Sequence, residues 1–278
     1  MAVECQAGPF RNPENGRSVF CRLWEPASCR GLIVIVHGFG EHGGRYEPFA
    51  QALAEHHVAV ACPDLWGHGQ SGGRRGDVKR FEDYLDDLDA ILIRLLAAVN
   101  QPSCTVFGHS FGGLVAIHWV LRKPQAVRSL ILQSPLLELG FPIPRWKERL
   151  TRWLAPWWPS LPIPMGLNPA WLSHDPAIAL RYTDDPLVHH TITLRCAAAL
   201  QEAMHHAMDR ATEVTIPTLL LYGMDDRVIS IAACQRFAKR LLCEKRVIGF
   251  SDSYHELHHE AVRSTLVEEV ARWTHAHA

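Results

Sequence analysis

Residues 105–112 read Thr-Val-Phe-Gly-His-Ser-Phe-Gly, a β-branched run that delivers Ser110 between Gly108 and Gly112. A serine with glycine two positions away on each side fits a sharp strand-to-helix turn, because a side chain at either glycine would collide with neighbouring backbone. Such a turn pushes the hydroxyl into a cleft and makes Ser110 a nucleophile candidate. Upstream, residues 103–107 have the composition of a buried strand. Downstream, Leu114, Ala116, Ile117 and Val120 recur at helical spacing, and Pro124 is expected to stop the helix. Gly-x-Ser-x-Gly is short enough to arise by chance, so the flanking strand and helix carry most of its weight.

The same rhythm extends in both directions. Gly31–Val36 is a continuous apolar run ending at His37-Gly38, the pattern of a strand covered on both faces in a parallel sheet. Val58–Cys62 is a second such run, ending in Pro63-Asp64, and Phe49, Leu53 and Ala54 give helical spacing between the two. A helix is expected over Phe81–Val99, and further strands over Val127–Leu132, Thr218–Tyr222 and Lys245–Phe250, with Arg17–Trp24 as an antiparallel edge strand. The alternation argues for an α/β fold: a mostly parallel central sheet with helices on both faces and functional residues at the carboxyl ends of strands.

Residues 136–195 break that rhythm with prolines, tryptophans and short apolar pieces, and read as an inserted cap on a core made of 1–135 and 196–278. Within the cap, Trp146, Leu150, Trp153, Leu154 and Trp157 share one helical face while Lys147, Arg149 and Arg152 point elsewhere. This amphipathic helix either touches a lipid surface or lays its aromatic stripe on the core.

The formal net charge of −1 gives no electrostatic case for nucleic acid, so a small-molecule partner is expected. The opening residues lack the basic start and apolar stretch of a signal peptide, and no run of about eighteen apolar residues could span a bilayer, so a soluble, cytoplasmic protein is expected. The eight cysteines form no Cys-x-x-Cys pair, and several sit inside apparent strands, as reduced thiols do.

A serine hydroxyl needs a histidine to take its proton and a carboxylate to orient that histidine. The strand Thr218–Tyr222 runs into Gly-Met-Asp-Asp-Arg-Val, which places Asp225 and Asp226 just past a strand end. The last strand runs into Ser-Asp-Ser-Tyr-His, which places His255 on the equivalent loop. Of the seventeen histidines, His255 stands downstream of both partners at a strand end, while the pairs at 56–57, 189–190 and 205–206 read as solvated or partly packed side chains. The order serine, aspartate, histidine is that of the α/β-hydrolases.

Five blocks then carry a wider likeness: HGFGEHGGRY at 37–46, DLWGHGQSGGRRG at 64–76, GHSFGG at 108–113, YGMDDRVIS at 222–230 and YHELHHE at 254–260. With these the chain resembles the monoacylglycerol lipase and lysophospholipase branch of the α/β-hydrolase superfamily. The resemblance selects Asp226 as the acid and His255 as the base, and implies that the backbone amides of Phe39 and Phe111 form the oxyanion hole. It implies a serine hydrolase of carboxylic esters with medium to long acyl chains, monoacylglycerols foremost, with lysophospholipase or broad carboxylesterase or amidase activity as the alternative. No cofactor and no metal are implied. Phenylalanine at 39 and 111, where many relatives carry smaller or more flexible residues, implies a narrower acyl pocket.

Two other motifs compete. His255-Glu256-Leu257-His258-His259 satisfies His-Glu-x-x-His, the zinc-protease pattern, with Glu268 or Glu269 as a third ligand, but its place at a loop-to-helix junction argues against it. Gly67–Gly72 satisfies Gly-x-Gly-x-x-Gly, yet Gly-Arg-Arg-Gly follows where a dinucleotide fold needs a helix, and Arg74 and Arg75 read as solvated charges. A non-catalytic, ligand-binding relative of the hydrolases is the reading of another class.

Overall fold

The computed structural model describes residues 3–122 and 127–278; the helix stop expected at Pro124 lies outside them. In chain order the strands are β1 (Cys5–Arg11), β2 (Ser18–Trp24), β3 (Gly31–Val36), β4 (Val58–Pro63), β5 (Cys104–His109), β6 (Val127–Gln133), β7 (Pro162–Pro164), β8 (Thr191–Thr193), β9 (Thr218–Gly223) and β10 (Lys245–Phe250). The helices are α1 (Glu47–Glu55), α2 (Glu82–Ala98), α3 (Phe111–Arg122), α4 (Arg145–Leu154), α5 (Pro176–Asp184), α6 (Leu194–Asp209), α7 (Ile231–Arg240) and α8 (Arg263–Ala276).

Among the described residues, one sheet of eight strands runs in the order β1-β2-β4-β3-β5-β6-β9-β10. From β4 to β10 every pairing is parallel, and β1 and β2 join antiparallel. Strand β3 explains why the apolar runs are unbroken. Leu32, Val34 and Val36 pack with α2 and α3 residues such as Leu88, Ile91 and Leu114, while Ile33 and Ile35 pack with α1 and α8 residues such as Phe49, Leu53 and Val270. Both faces are covered, so period-two alternation has no polar side to show. Each of these side chains, fully buried, contributes about 1.5–3 kcal/mol.

The expected edge strand needs correcting. Strand β2 is second from the edge, because β1 pairs outside it from Cys5↔Trp24 to Arg11↔Ser18. Most of β1 is exposed and it contains Gly8-Pro9, so it lacks the apolar signature of a covered strand.

Between β6 and β9 the chain leaves the sheet through α4, then β7 and β8, which pair antiparallel with α5 between them, and returns along α6. Helix α4 does not lay its stripe on the core: Trp146, Trp153 and Trp157 are 62%, 66% and 72% exposed. Among the described residues no helix is long and apolar enough to cross a membrane.

Candidate active site

The turn after β5 places Ser110 at φ +52°, a left-handed conformation that strains a non-glycine residue. The flanking glycines are required by crowding. A Cβ on Gly112 would stand 1.9 Å from the Val36 carbonyl oxygen, and one on Gly108 2.6 Å from the Gly112 carbonyl oxygen. Backbone bonds lock the turn: the Ser110 N–H donates to Gln133 O at 3.0 Å, and the Ser110 carbonyl accepts from Gly113, Leu114 and Leu136 N–H at 2.9, 3.2 and 2.8 Å.

Two neighbouring strand ends supply the other groups. The loops after β9 and β10 are tied by Met224 N–H to Phe250 O at 2.8 Å and Asp225 N–H to Ser253 O at 3.1 Å. This brings Asp226 to His255, whose Nδ1 lies 2.8 Å from Asp226 Oδ2. Asp226 Oδ1 accepts from the N–H groups of Val228 and Ile229 at 2.8 and 3.1 Å. Asp225, the other carboxylate of the pair, is exposed. Burial works against a charged His255, but Asp226, followed by Glu256 and Glu41, outweighs it and raises the imidazole above its ordinary value. Burial likewise opposes ionisation of Asp226, and His255 with the two backbone N–H groups outweighs it, holding the carboxyl below its usual range.

Ser110, His255, Phe39 and Phe111 line one cavity of about 90 Å³. Phe111 opens α3, where backbone N–H groups lack intrahelical acceptors, and Phe39 sits in the loop after β3. Their rings meet edge to face with centroids 5.2 Å apart, which narrows the cavity wall.

Beneath this cavity lies an ionic floor to which the sequence reading assigned no role. Glu41 Oε1 accepts from Gly38 N–H at 2.6 Å and from the Tyr46 hydroxyl at 2.7 Å. Arg45 bonds Glu41 Oε2 and makes a bidentate pair with Glu256, both bonds at 2.7 Å. Burial opposes a charged Glu41, but Arg45 and then His109 and His37 outweigh it and hold the carboxyl well below its usual range. Gln133 Nε2 stands 2.9 Å from Nδ1 of both His109 and His258, so one amide can serve two buried imidazoles. Burial and then His255 push His109 down to about 4, which keeps it neutral beside the serine. The signal for these residues was present as charged positions inside the 37–46 and 254–260 blocks, but pairing partners 211 positions apart cannot be read from spacing.

Among the paired histidines, His189 is packed and not solvated: it is buried, its backbone N–H donates to Gly40 O at 2.9 Å, and its ring packs on Phe39 at 5.4 Å. Arg75 is exposed as expected, although its guanidinium reaches Gly69 O. The Gly67–Gly72 segment is a loop with no helix after it.

The His-Glu-x-x-His geometry does not form. Its zinc pattern needs His255 and His259 on one helical face, but only Leu257–His259 is helical, as a short 3-10 turn, and His255 is engaged by Asp226. The group whose ligand atoms do lie within 4.8 Å of one another is Glu256, His258 and His259, without His255, and Glu256 is already held by Arg45. Glu269 pairs with Arg246 and Arg272.

Comparison with known proteins identifies the family. The family profile described as serine aminopeptidase, S33, matches residues 27–262. The chain belongs to this family of α/β-hydrolases. As an S33 family member it is a serine hydrolase, and its similarity to solved and curated relatives spans nearly its whole length. It is 30% identical over 295 residues to the monoglyceride lipase of Homo sapiens, covering 98% of this chain and 92% of that one. The crystal structure of the Paleococcus ferrophilus monoacylglycerol lipase superposes with a TM-score of 0.86 at 29% identity, covering 94% of this chain and 99% of that one. An uncharacterized abhydrolase domain-containing protein of Dictyostelium discoideum is 31% identical over 256 residues, and the S33 chain matches 27% of that protein's length.

Proposed function

We propose that this serine hydrolase cleaves carboxylic esters of medium to long acyl chains, monoacylglycerols foremost, through an acyl-enzyme on Ser110. Monoacylglycerol is the substrate in the names of the human and Paleococcus relatives. Ser110 Oγ attacks the ester carbonyl as His255 takes its proton, and Asp226 holds the Nδ1–H and stabilises the imidazolium. The N–H groups of Phe39 and Phe111 receive the oxyanion. Collapse expels the alcohol, which takes the proton from His255. A water then loses a proton to His255 and attacks the acyl carbon; the free acid leaves and Ser110 regains its hydrogen.

The observation that carries this reading is the 2.8 Å contact of Asp226 with His255, which lines the same cavity as the strained Ser110. Residues 136–195 act as a cap on the core of 1–135 and 196–278. The cap's exposed Trp146, Trp153 and Trp157, with Lys147, Arg149 and Arg152, contact the lipid surface from which substrate is drawn.

The deciding experiment is mass spectrometry after fluorophosphonate treatment, alongside monoacylglycerol turnover with and without a chelator. Ser110 is expected to carry the label and turnover to resist the chelator, with the label absent and turnover lowered about 10⁶-fold in Ser110→Ala. An unlabelled protein with chelator-sensitive turnover would transfer the chemistry to a metal. Absence of both would make the chain a ligand-binding relative.

A further inference from the structure

A cavity of about 90 Å³ at Ser110 is small beside the roughly 300–1,000 Å³ of ordinary ligand sites. An adjoining groove of about 1100 Å³ lies between residues 137–143, the end of α4 and α6. Leu139 and Phe141 line both spaces, so they form the partition between them.

The two halves of that partition are held differently. Leu139 forms an antiparallel bridge with Ile229, framed by Gly140 N–H to Val228 O at 2.9 Å and Ser230 N–H to Glu138 O at 2.8 Å. Those bonds tie Leu139 to the loop that carries Asp226. Phe141 lies one residue past the last of them, half-buried, with its ring tilted against Trp171 of the 136–195 segment at 5.7 Å between centroids. It also lines a third recess, of about 420 Å³, beside Ser230 and Ile231, which lies against the same ring. The backbone of Leu139 is thus held on both sides, whereas Phe141 stands beyond the last of these bonds with open space against its ring.

We propose that Phe141 is the gate that sets acyl-chain preference. With the ring as it stands, an acyl group is confined to the small cavity; with the ring turned aside, the distal methylenes pass into the groove. The inference rests on the ester-hydrolase reading above and adds the residue that decides chain length. One wall of the groove suits the acyl arm. Leu137, Ala199, Met204 and Met208 give it an apolar wall at the margin of the core, while Arg152, Arg195, Glu202, His205 and Asp209 line other parts of it. Each methylene buried on the apolar wall tightens binding about fourfold, whereas hydroxyls or a charged head group would lose hydration against it. The methionines on α6 fit a flexible chain of varying length.

The test is the kcat/KM ratio of p-nitrophenyl palmitate to p-nitrophenyl butyrate for the intact chain, Phe141→Ala, Phe141→Leu, Phe141→Trp and the double variant Phe141→Ala/Met204→Trp. Opening the gate is expected to raise the ratio about tenfold in Phe141→Ala and less in Phe141→Leu; Phe141→Trp lowers it, and Met204→Trp cancels the gain by filling the groove. Ratios within about twofold of the parent in all variants, with butyrate still cleaved, would remove the gate and leave the ester hydrolase standing. A parent chain that cleaves neither ester and takes no fluorophosphonate label would remove both.

Discussion

The floor beneath Ser110 and the outer face of α4 are built on opposite terms. In the floor, Glu41, Arg45, Tyr46 and Glu256 are nearly buried and each is bonded to at least one of the others. On α4, large indoles stand in solvent, and the one aromatic contact in the helix is Lys147 over the Trp146 ring at 5.6 Å, among the described residues. The first arrangement ties the loop of Gly38 to the loop of Glu256, the kind of fixed support that positioned charges need. The second leaves apolar area for something outside the molecule to cover. One part of the protein pairs its buried charges with one another, and the other leaves large indoles in solvent.

The contrast can be broken or sharpened at three places. The largest effect is expected from Asp226→Asn, which removes the charge that orients His255 and lowers turnover about 10⁴-fold. The same variant tests the pH profile. Because Asp226 raises the His255 pKa, the base-competent neutral form is gained as pH rises through a value above 6.5, so the acid limb of kcat/KM lies above that point. The residual activity of Asp226→Asn should have its acid limb at lower pH; an unmoved limb would mean that the titrating group is not His255.

Next comes Arg45→Met, which strands two buried carboxylates. Removing one partner of a buried ionic group typically costs about 3–5 kcal/mol, so urea unfolding should show a loss of that size. The loss should ease at acid pH, since both carboxyls are held below their usual range and the variant lets them take up protons more readily. A loss under about 1 kcal/mol would show that the floor is not braced by this guanidinium.

The smallest effect on stability is expected from Trp153→Ser with Trp157→Ser, within about 0.5 kcal/mol, because both indoles are exposed. Turnover of emulsified substrate should fall severalfold relative to a soluble ester. A large loss of stability would place the stripe in packing contact and erase the contrast, and an unchanged emulsion-to-soluble ratio would remove the lipid contact.

Local rules made much of this legible in the sequence. The apolar runs of β3 and β4, the helical spacing after Ser110 and the glycines around it obey constraints set within a few residues, and each appears where its composition placed it. Strand β1 escaped because an exposed edge strand needs no apolar run. Helix α4 was recognisable as amphipathic, but its face toward the solvent was not, because periodicity marks a stripe without saying what lies against it. His189 read as a solvated or partly packed side chain and proved to be buried against the loop of Phe39, a contact its own neighbours do not announce.

By itself the sequence determined the parallel α/β layout, the serine turn and the strand ends where its partners had to be sought, because hydrophobic period and steric crowding act between near neighbours. Only the tertiary structure decided that Arg45 joins Glu41 to Glu256, that one Gln133 amide meets both His109 and His258, and that Phe141 stands between two cavities. Those outcomes depend on which loops the sheet order brings side by side, and hydrogen bonds and cavity walls form across that distance in space whatever their separation along the chain.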